Sequence, residues 1–176
     1  MSTFKDLTPG AYTVDAAHST VGFVARHLMV SKVRGKFNEF EGDVRIGDDL
    51  ESSSVVATVQ MASIDTQQEQ RDGHLRTNDF FDVPTYPTMT FRSTKVTEDA
   101  LEGELTIKDV TKPVTFDLEY GGFVNDPNMG ARAGFEASTE INRKDFNVQF
   151  NAVTEGGGAV VSDKIKIFLE IELVQA

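Results

Sequence analysis

Lys164-Ile-Lys-Ile-Phe-Leu-Glu-Ile-Glu-Leu-Val174 decides how the rest of the chain is read. Ile165, Ile167, Leu169, Ile171 and Leu173 share one parity, while Lys164, Lys166, Glu170 and Glu172 share the other. Successive side chains of a β-strand point to opposite faces, so this stretch carries one apolar and one charged face. The expectation is a strand half-buried against a core.

The same alternation recurs upstream, bounded by Gly, Pro, Asp and Asn. A first strand is expected from Val14 to about Leu28, with Val21, Phe23, Ala25 and His27 on one parity. A second runs roughly from Val33 to Ile46. Its apolar parity shifts after Phe37, which reads as a β-bulge near Gly42. Ser54 to Ile64 gives a third, with Val55, Ala57, Val59 and Met61 together, and Thr88 to Val96 a fourth through Met89 and Phe91. Leu101, Gly103, Leu105 and Ile107 mark a fifth, Val114, Phe116, Leu118 and Tyr120 a sixth, and Ala131 to Ile141, through Phe135 and Ala137, a seventh. Thr66 to Asn78 is polar and expected as a short surface helix; Asn142 to Phe146 reads as another helical turn, and Gly156 to Gly158 as a hairpin loop.

Eight strands joined by short connections must be antiparallel, because parallel neighbours need crossovers of a dozen or more residues. Their common apolar face is covered either by closing into a barrel or by folding over as a sandwich. The length of the strands favours the barrel. The expected fold class is therefore all-β, an eight-stranded antiparallel barrel with one or two short helices. Residues 1–176 are read as a single domain, with 1–11 a lead-in segment. On the inward parity Phe23, Phe37, Phe91, Phe116, Phe135 and Ile167 stand beside Ala25, Gly35, Ala57, Gly103, Ala131, Ala133 and Ala137. Those small residues leave a void or merely fit the taper of a filled barrel; alternation does not decide which.

The net charge of -11 repels phosphate backbones and anionic lipid headgroups at long range, arguing against nucleic acid and against stable membrane docking. No apolar run is long enough to span a bilayer. The first ten residues show no basic region followed by an apolar one, so the expected location is cytoplasmic. The absence of cysteine excludes disulfides, thiolate metal sites and cysteine nucleophiles.

Candidate chemistry is sparse. His18 and His27 are nine residues apart and would face opposite sides of one continuous strand; His74 falls in the expected helix. That spacing supports no metal site, and no Gly-x-Ser-x-Gly elbow or phosphate-binding loop is present. Asp72, His74 and Asp79 are either a general-acid cluster or a capping and salt-bridge group. His27 is either a core histidine bonded to a backbone carbonyl or the one polar group orienting a ligand headgroup in an apolar pocket.

Several ordered motifs run through the chain. They are Tyr12-Thr-Val-Asp15-Ala-Ala-His18-Ser19 with Phe23 and His27, Gly35-Lys-Phe37 and Gly42, then Asp72-Gly-His74-Leu75 with Asp79-Phe80-Phe81 and Tyr86-Pro87. Gly103-Glu-Leu105-Thr106, Thr111-Lys-Pro113-Val114, Asn142-Arg143-Lys-Asp145-Phe146 and Asp163-Lys-Ile-Lys-Ile167 follow. Together they resemble the YceI-like family of polyisoprenoid-binding proteins, over about Tyr12 to Leu173. The resemblance implies a lipocalin-like barrel that is hollow, with a long tunnel for an isoprenoid such as a quinone or polyprenyl lipid. It implies no established catalytic activity, and no cofactor or metal is expected beside the lipid. One turn departs from the family pattern, with Asp109 in Leu105-Thr-Ile-Lys-Asp109-Val-Thr111 where a glycine is usual. Many members of the family are exported, which this N-terminus does not suggest. The ligand-binding wall is then expected at Val21, Phe23, Ala25, His27, Phe37, Val59, Phe91, Leu105, Phe116, Phe135, Ile167 and Leu169. The alternative is an enzyme acting on a similar hydrophobic substrate through His27 or the Asp72/His74 group. A further one is an interaction protein with no ligand. Whether two chains pair as a homodimer is left open.

Overall fold

Eight antiparallel staves close into a barrel in the computed structural model, which describes residues 7–28, 30–149 and 161–176. The glycine run at 156–158 lies outside the described residues. Three staves are each broken in two: β1 (Gly10–Val14) with β2 (Thr20–His27), β3 (Ser31–Phe37) with β4 (Phe40–Ile46), and β5 (Ser54–Gln60) with β6 (Ile64–Asp65). The other five are continuous: β7 (Thr88–Val96), β8 (Ala100–Ile107), β9 (Val110–Asp126), β10 (Gly130–Asn142) and β11 (Lys164–Gln175). Helix α1 (Glu69–Leu75) and a 3-10 turn at Arg143–Phe146 stand where the polar stretches suggested.

Closure runs through β11. One edge pairs with β10 from Arg132 to Asn142. The other edge serves two partners, β2 through Lys166–Glu170 and β1 through Leu173–Gln175. Between those ladders the chain leaves the sheet, forms a 3-10 turn at Ala16–His18 and returns. The expected continuous strand from Val14 to Leu28 is thus corrected: it is two strands, because a stave that curves round the barrel bends between its partners.

The same geometry moves the parity shift of the second stave. It falls at Asn38 and Glu39, between β3 and β4, rather than as a bulge near Gly42. There Asn38 N–H donates to the Ser63 carbonyl at 3.1 Å and Gln60 N–H to the Glu39 carbonyl at 2.9 Å, stitching the kink to the next stave. Register shifts do occur at Gly134/Phe135 and Ser93/Lys95. β1 begins inside the expected lead-in, and Leu7 is buried with Tyr12, Ile46 and Leu173 at that end.

Two small inward residues are occupied by rings rather than by space. A Cβ on Gly35 would fall 2.3 Å from the Phe23 ring, and one on Gly103 would meet both the Phe91 ring at 2.4 Å and the Arg92 carbonyl at 2.5 Å. Phenylalanine from one stave covers the bare backbone of the next.

An ion cluster fastens the seam from outside. Arg132 on β10 reaches both Asp15, at 2.8 Å, and Glu172 on β11. Asp15 N–H donates to the Glu172 carbonyl at 2.9 Å. Arg132 first, then His18, holds the Asp15 carboxyl at about 2 against an ordinary 3.8. A depressed carboxylate pKa stabilises the fold above the ordinary value and loses that contribution as pH falls through the depressed one. Arg132→Met is therefore expected to lower the melting temperature at neutral pH. The gap between variant and wild type should narrow as pH falls from 3.8 toward about 2, read by thermal denaturation across that window.

Candidate functional site

The barrel is not filled. A cavity of about 170 Å³ occupies the half nearer β1, and a second of about 120 Å³ the half nearer α1. Val21, Met89 and Ile167 belong to both walls, so these three side chains stand between the two voids. The surface presented to each void is apolar. For scale, an apolar cavity of about 150 Å³ stays dry and admits a benzene-sized guest.

The larger cavity is bounded by Val59, Phe91, Leu105, Phe116, Phe135 and Leu169, with Ala57 and Ala137 supplying room and Leu50 reaching in from the loop after β4. Phe91 and Phe116 meet edge to face, centroids 5.5 Å apart at 88°, a favourable arrangement that fixes both rings. The smaller cavity is bounded by Phe23, Ala25 and Phe37 and floored by Leu75, Phe80, Phe81, Phe146 and Val148. Phe23 and Phe37 lie 5.7 Å apart and tilted.

The floor is held by polar chemistry hidden behind it. Asp72 of α1 is buried and accepts from Thr66 N–H at 2.9 Å and from the Thr66 hydroxyl. Arg71 donates from Nε to the Thr66 hydroxyl and from Nη2 to the Thr66 carbonyl, both at 2.8 Å. Helix α1 is thereby pinned to the end of β6, with Leu75 turned onto the void. Arg143 lines the smaller cavity but directs its guanidinium away, donating to the carbonyls of Ser162 at 2.9 Å and Val148 at 2.7 Å. Burial pushes its pKa down, opposed by Asp163.

The histidines lie outside the walls so described. His18 bonds Asp15 at 2.8 Å on the outer face. Asp15, His18 and Glu172 bring possible ligand atoms within 4.8 Å of one another, yet the Arg132 guanidinium already donates to both carboxylates, where a cation would compete for the same oxygens. His74 contacts Asp79 at 2.7 Å and packs edge-on against Phe80, both of the ion-pair partners half exposed. The Asp72/His74/Asp79 group therefore divides, one aspartate bracing α1 and the other pairing the histidine.

The sequence profile of the YceI-like domain matches residues 12–173. The chain belongs to the YceI-like family. A UPF0312 protein of Staphylococcus aureus is 38% identical over 160 residues, 88% of this chain and 92% of that protein. The crystal structure of Burkholderia cenocepacia BcnA superposes with a TM-score of 0.78 at 25% identity, covering 90% of this chain and 98% of that one. A polyisoprenoid binding domain from Saccharophagus degradans, implicated in plant cell wall breakdown, shares the fold with a TM-score of 0.68 at 14% identity over 94% of this chain and 98% of its own.

In this YceI-like barrel the structure brings Val21, Phe23, Ala25, Phe37, Val59, Phe91, Leu105, Phe116, Phe135, Ile167 and Leu169 to the cavity walls. His27 is the exception. It has the parity of Phe23 and Ala25 but is exposed, opposite Ser31 at the hairpin end and bridged to Val161. Parity tells which way a side chain points and nothing of its height, and β2 projects past the floor. Both expectations for His27, a core histidine or a group inside the pocket, are therefore corrected. Met89, Leu75, Phe80, Phe81 and Phe146 were not among the expected wall residues. The signal for Phe80, Phe81 and Phe146 lay in the Asp-Phe-Phe and Asn-Arg-x-Asp-Phe motifs, that for Leu75 in Asp72-Gly-His74-Leu75, and that for Met89 in the alternation it shares with Phe91.

Asp72→Ala is expected to strand the Thr66 amide and hydroxyl and to cost about 1–3 kcal/mol in urea unfolding. The protection of α1 amides from hydrogen exchange should fall with it.

Proposed function

We propose that this protein binds an isoprenoid lipid of the quinone or polyprenyl type along the two adjoining cavities, and that it carries or sequesters the lipid without chemistry of its own. The observation that carries this reading is a pair of adjoining apolar voids inside one barrel, which share Val21, Met89 and Ile167 as a common wall. A linear, flexible and hydrophobic guest matches a space that is long, dry and divided. The polyisoprenoid binding domain from Saccharophagus degradans, which shares this fold, supports the same class.

Affinity on this reading comes from surface taken out of water, each buried CH₂ contributing about 0.8 kcal/mol. The wall offers the guest little hydrogen bonding, so a polar headgroup is left at one end, and selection rests on girth and length.

Organic extraction of the purified protein followed by mass spectrometry is expected to release a prenylated molecule. Ala137→Phe, which places a ring into the larger cavity, is expected to weaken displacement of a fluorescent lipophile by about tenfold or more. An extract without apolar molecules, together with unchanged binding in the variant, would overturn the proposal.

A further inference from the structure

Leu28, 40% exposed, and Val30, 81% exposed, present aliphatic surface to solvent at the tip of the β2–β3 hairpin. Val30 N–H closes the turn on the His27 carbonyl at 3.1 Å. Leu28 holds φ at 53°, the left-handed region where glycine, asparagine or aspartate is accommodated with least strain. A branched apolar residue there strains the backbone, and its neighbour Val30 keeps most of its surface in water, so folding alone does not explain the pair.

Behind this tip the outer faces of β2, β3 and β11 gather Arg26, Lys32, Arg34, Lys164 and Lys166 around a shallow depression. Register sets Arg26 opposite Lys32 and places Val24 between Arg34 and Lys166. Glu140 and Asp163 are the carboxylates lining the same depression, which leaves a local excess of positive charge on a chain of net charge -11. Like charges side by side on a sheet are unfavourable for folding, so this concentration also asks for another cause.

We propose that the β2–β3 tip and this basic face dock the protein on an anionic lipid bilayer. Leu28 and Val30 enter the interfacial layer while the five cations meet the headgroups. Exposed aliphatic side chains collared by Lys and Arg suit a bilayer surface, whose apolar depth and negative charge both find a counterpart. A nucleic acid would use the cations and leave the aliphatic tip without a role. The acidic remainder of the molecule is repelled by the same surface, which fixes orientation and keeps binding reversible and sensitive to salt. Val161 lines both the outer depression and the smaller cavity, so the docking face backs directly onto the tunnel wall at its α1 end. This reading replaces the expectation, drawn from net charge alone, that the chain avoids acidic membranes.

The test is co-sedimentation of the full chain with phosphatidylcholine vesicles, with and without phosphatidylglycerol. The unaltered protein is expected to bind only the anionic vesicles, and less as salt rises. Two variants, Leu28→Ser with Val30→Ser, and Lys32→Glu with Arg34→Glu and Lys166→Glu, are each expected to weaken binding about tenfold or more. All five side chains are at the surface, and circular dichroism with melting checks that both variants fold. Equal binding to neutral vesicles, or wild-type binding by either variant, would overturn the proposal. So would a DNA duplex that binds as tightly as the vesicles and is indifferent to the serine variant. None of these readouts needs a tunnel ligand, so the docking surface stands or falls separately from the proposed cargo.

Discussion

Everything in this fold depends on β11 having two partners along a single edge. An antiparallel sheet with one apolar face buries that face fully only if its last strand finds its first. Here the first stave meets β11 in two pieces, β1 at the far end and β2 at the near one, with Asp15–Ser19 stepping out between them. The step places Asp15 where Arg132 and Glu172 can hold it, so the break in the sheet is also its fastening point. The neighbouring staves bend at the same level, β3 to β4 and β5 to β6. Closure thus imposes its kink on three staves in succession.

A barrel of this strand number has a choice between packing its interior and leaving it open. Both solutions coexist. At the β1 end Leu7, Tyr12, Val44, Tyr120, Ala133 and Leu173 pack together. At the other end Phe80, Phe146 and Val148 form a floor, braced from outside by buried Asp72 and by Arg143. Between the plugs lies the apolar space. Asp72 and Arg143 bond neighbouring side chains or backbone groups rather than facing the voids, which leaves the walls apolar.

Period two was enough to read eight staves and the inward direction of nearly every wall residue, because direction is a local property of a strand, and the short connections made the staves antiparallel. Three matters needed more than local information. The kink at Asn38 looked like a bulge because alternation records a change of parity without saying whether a strand has changed partners. For Gly35 and Gly103 alternation did not decide between void and taper; each lies under a ring from the adjacent stave, a contact set by cross-strand geometry. His27 shares its face with Phe23 but stands beyond the floor, since height along a barrel follows from stagger between staves. The helix and its Asp72 brace were visible only as a polar interruption whose purpose lies in the tertiary contact with Thr66.

The waist of Val21, Met89 and Ile167 divides the interior into chambers of unequal size. A guest short enough for one chamber gains nothing from the other, and lengthening it within that chamber soon meets a wall. Only a chain that passes Met89, whose unbranched thioether side chain can change rotamer more freely than its β-branched neighbours, reaches the second set of contacts. Retention of a linear guest would then rise in two steps with its length, and the barrel would behave less as a container than as a gauge.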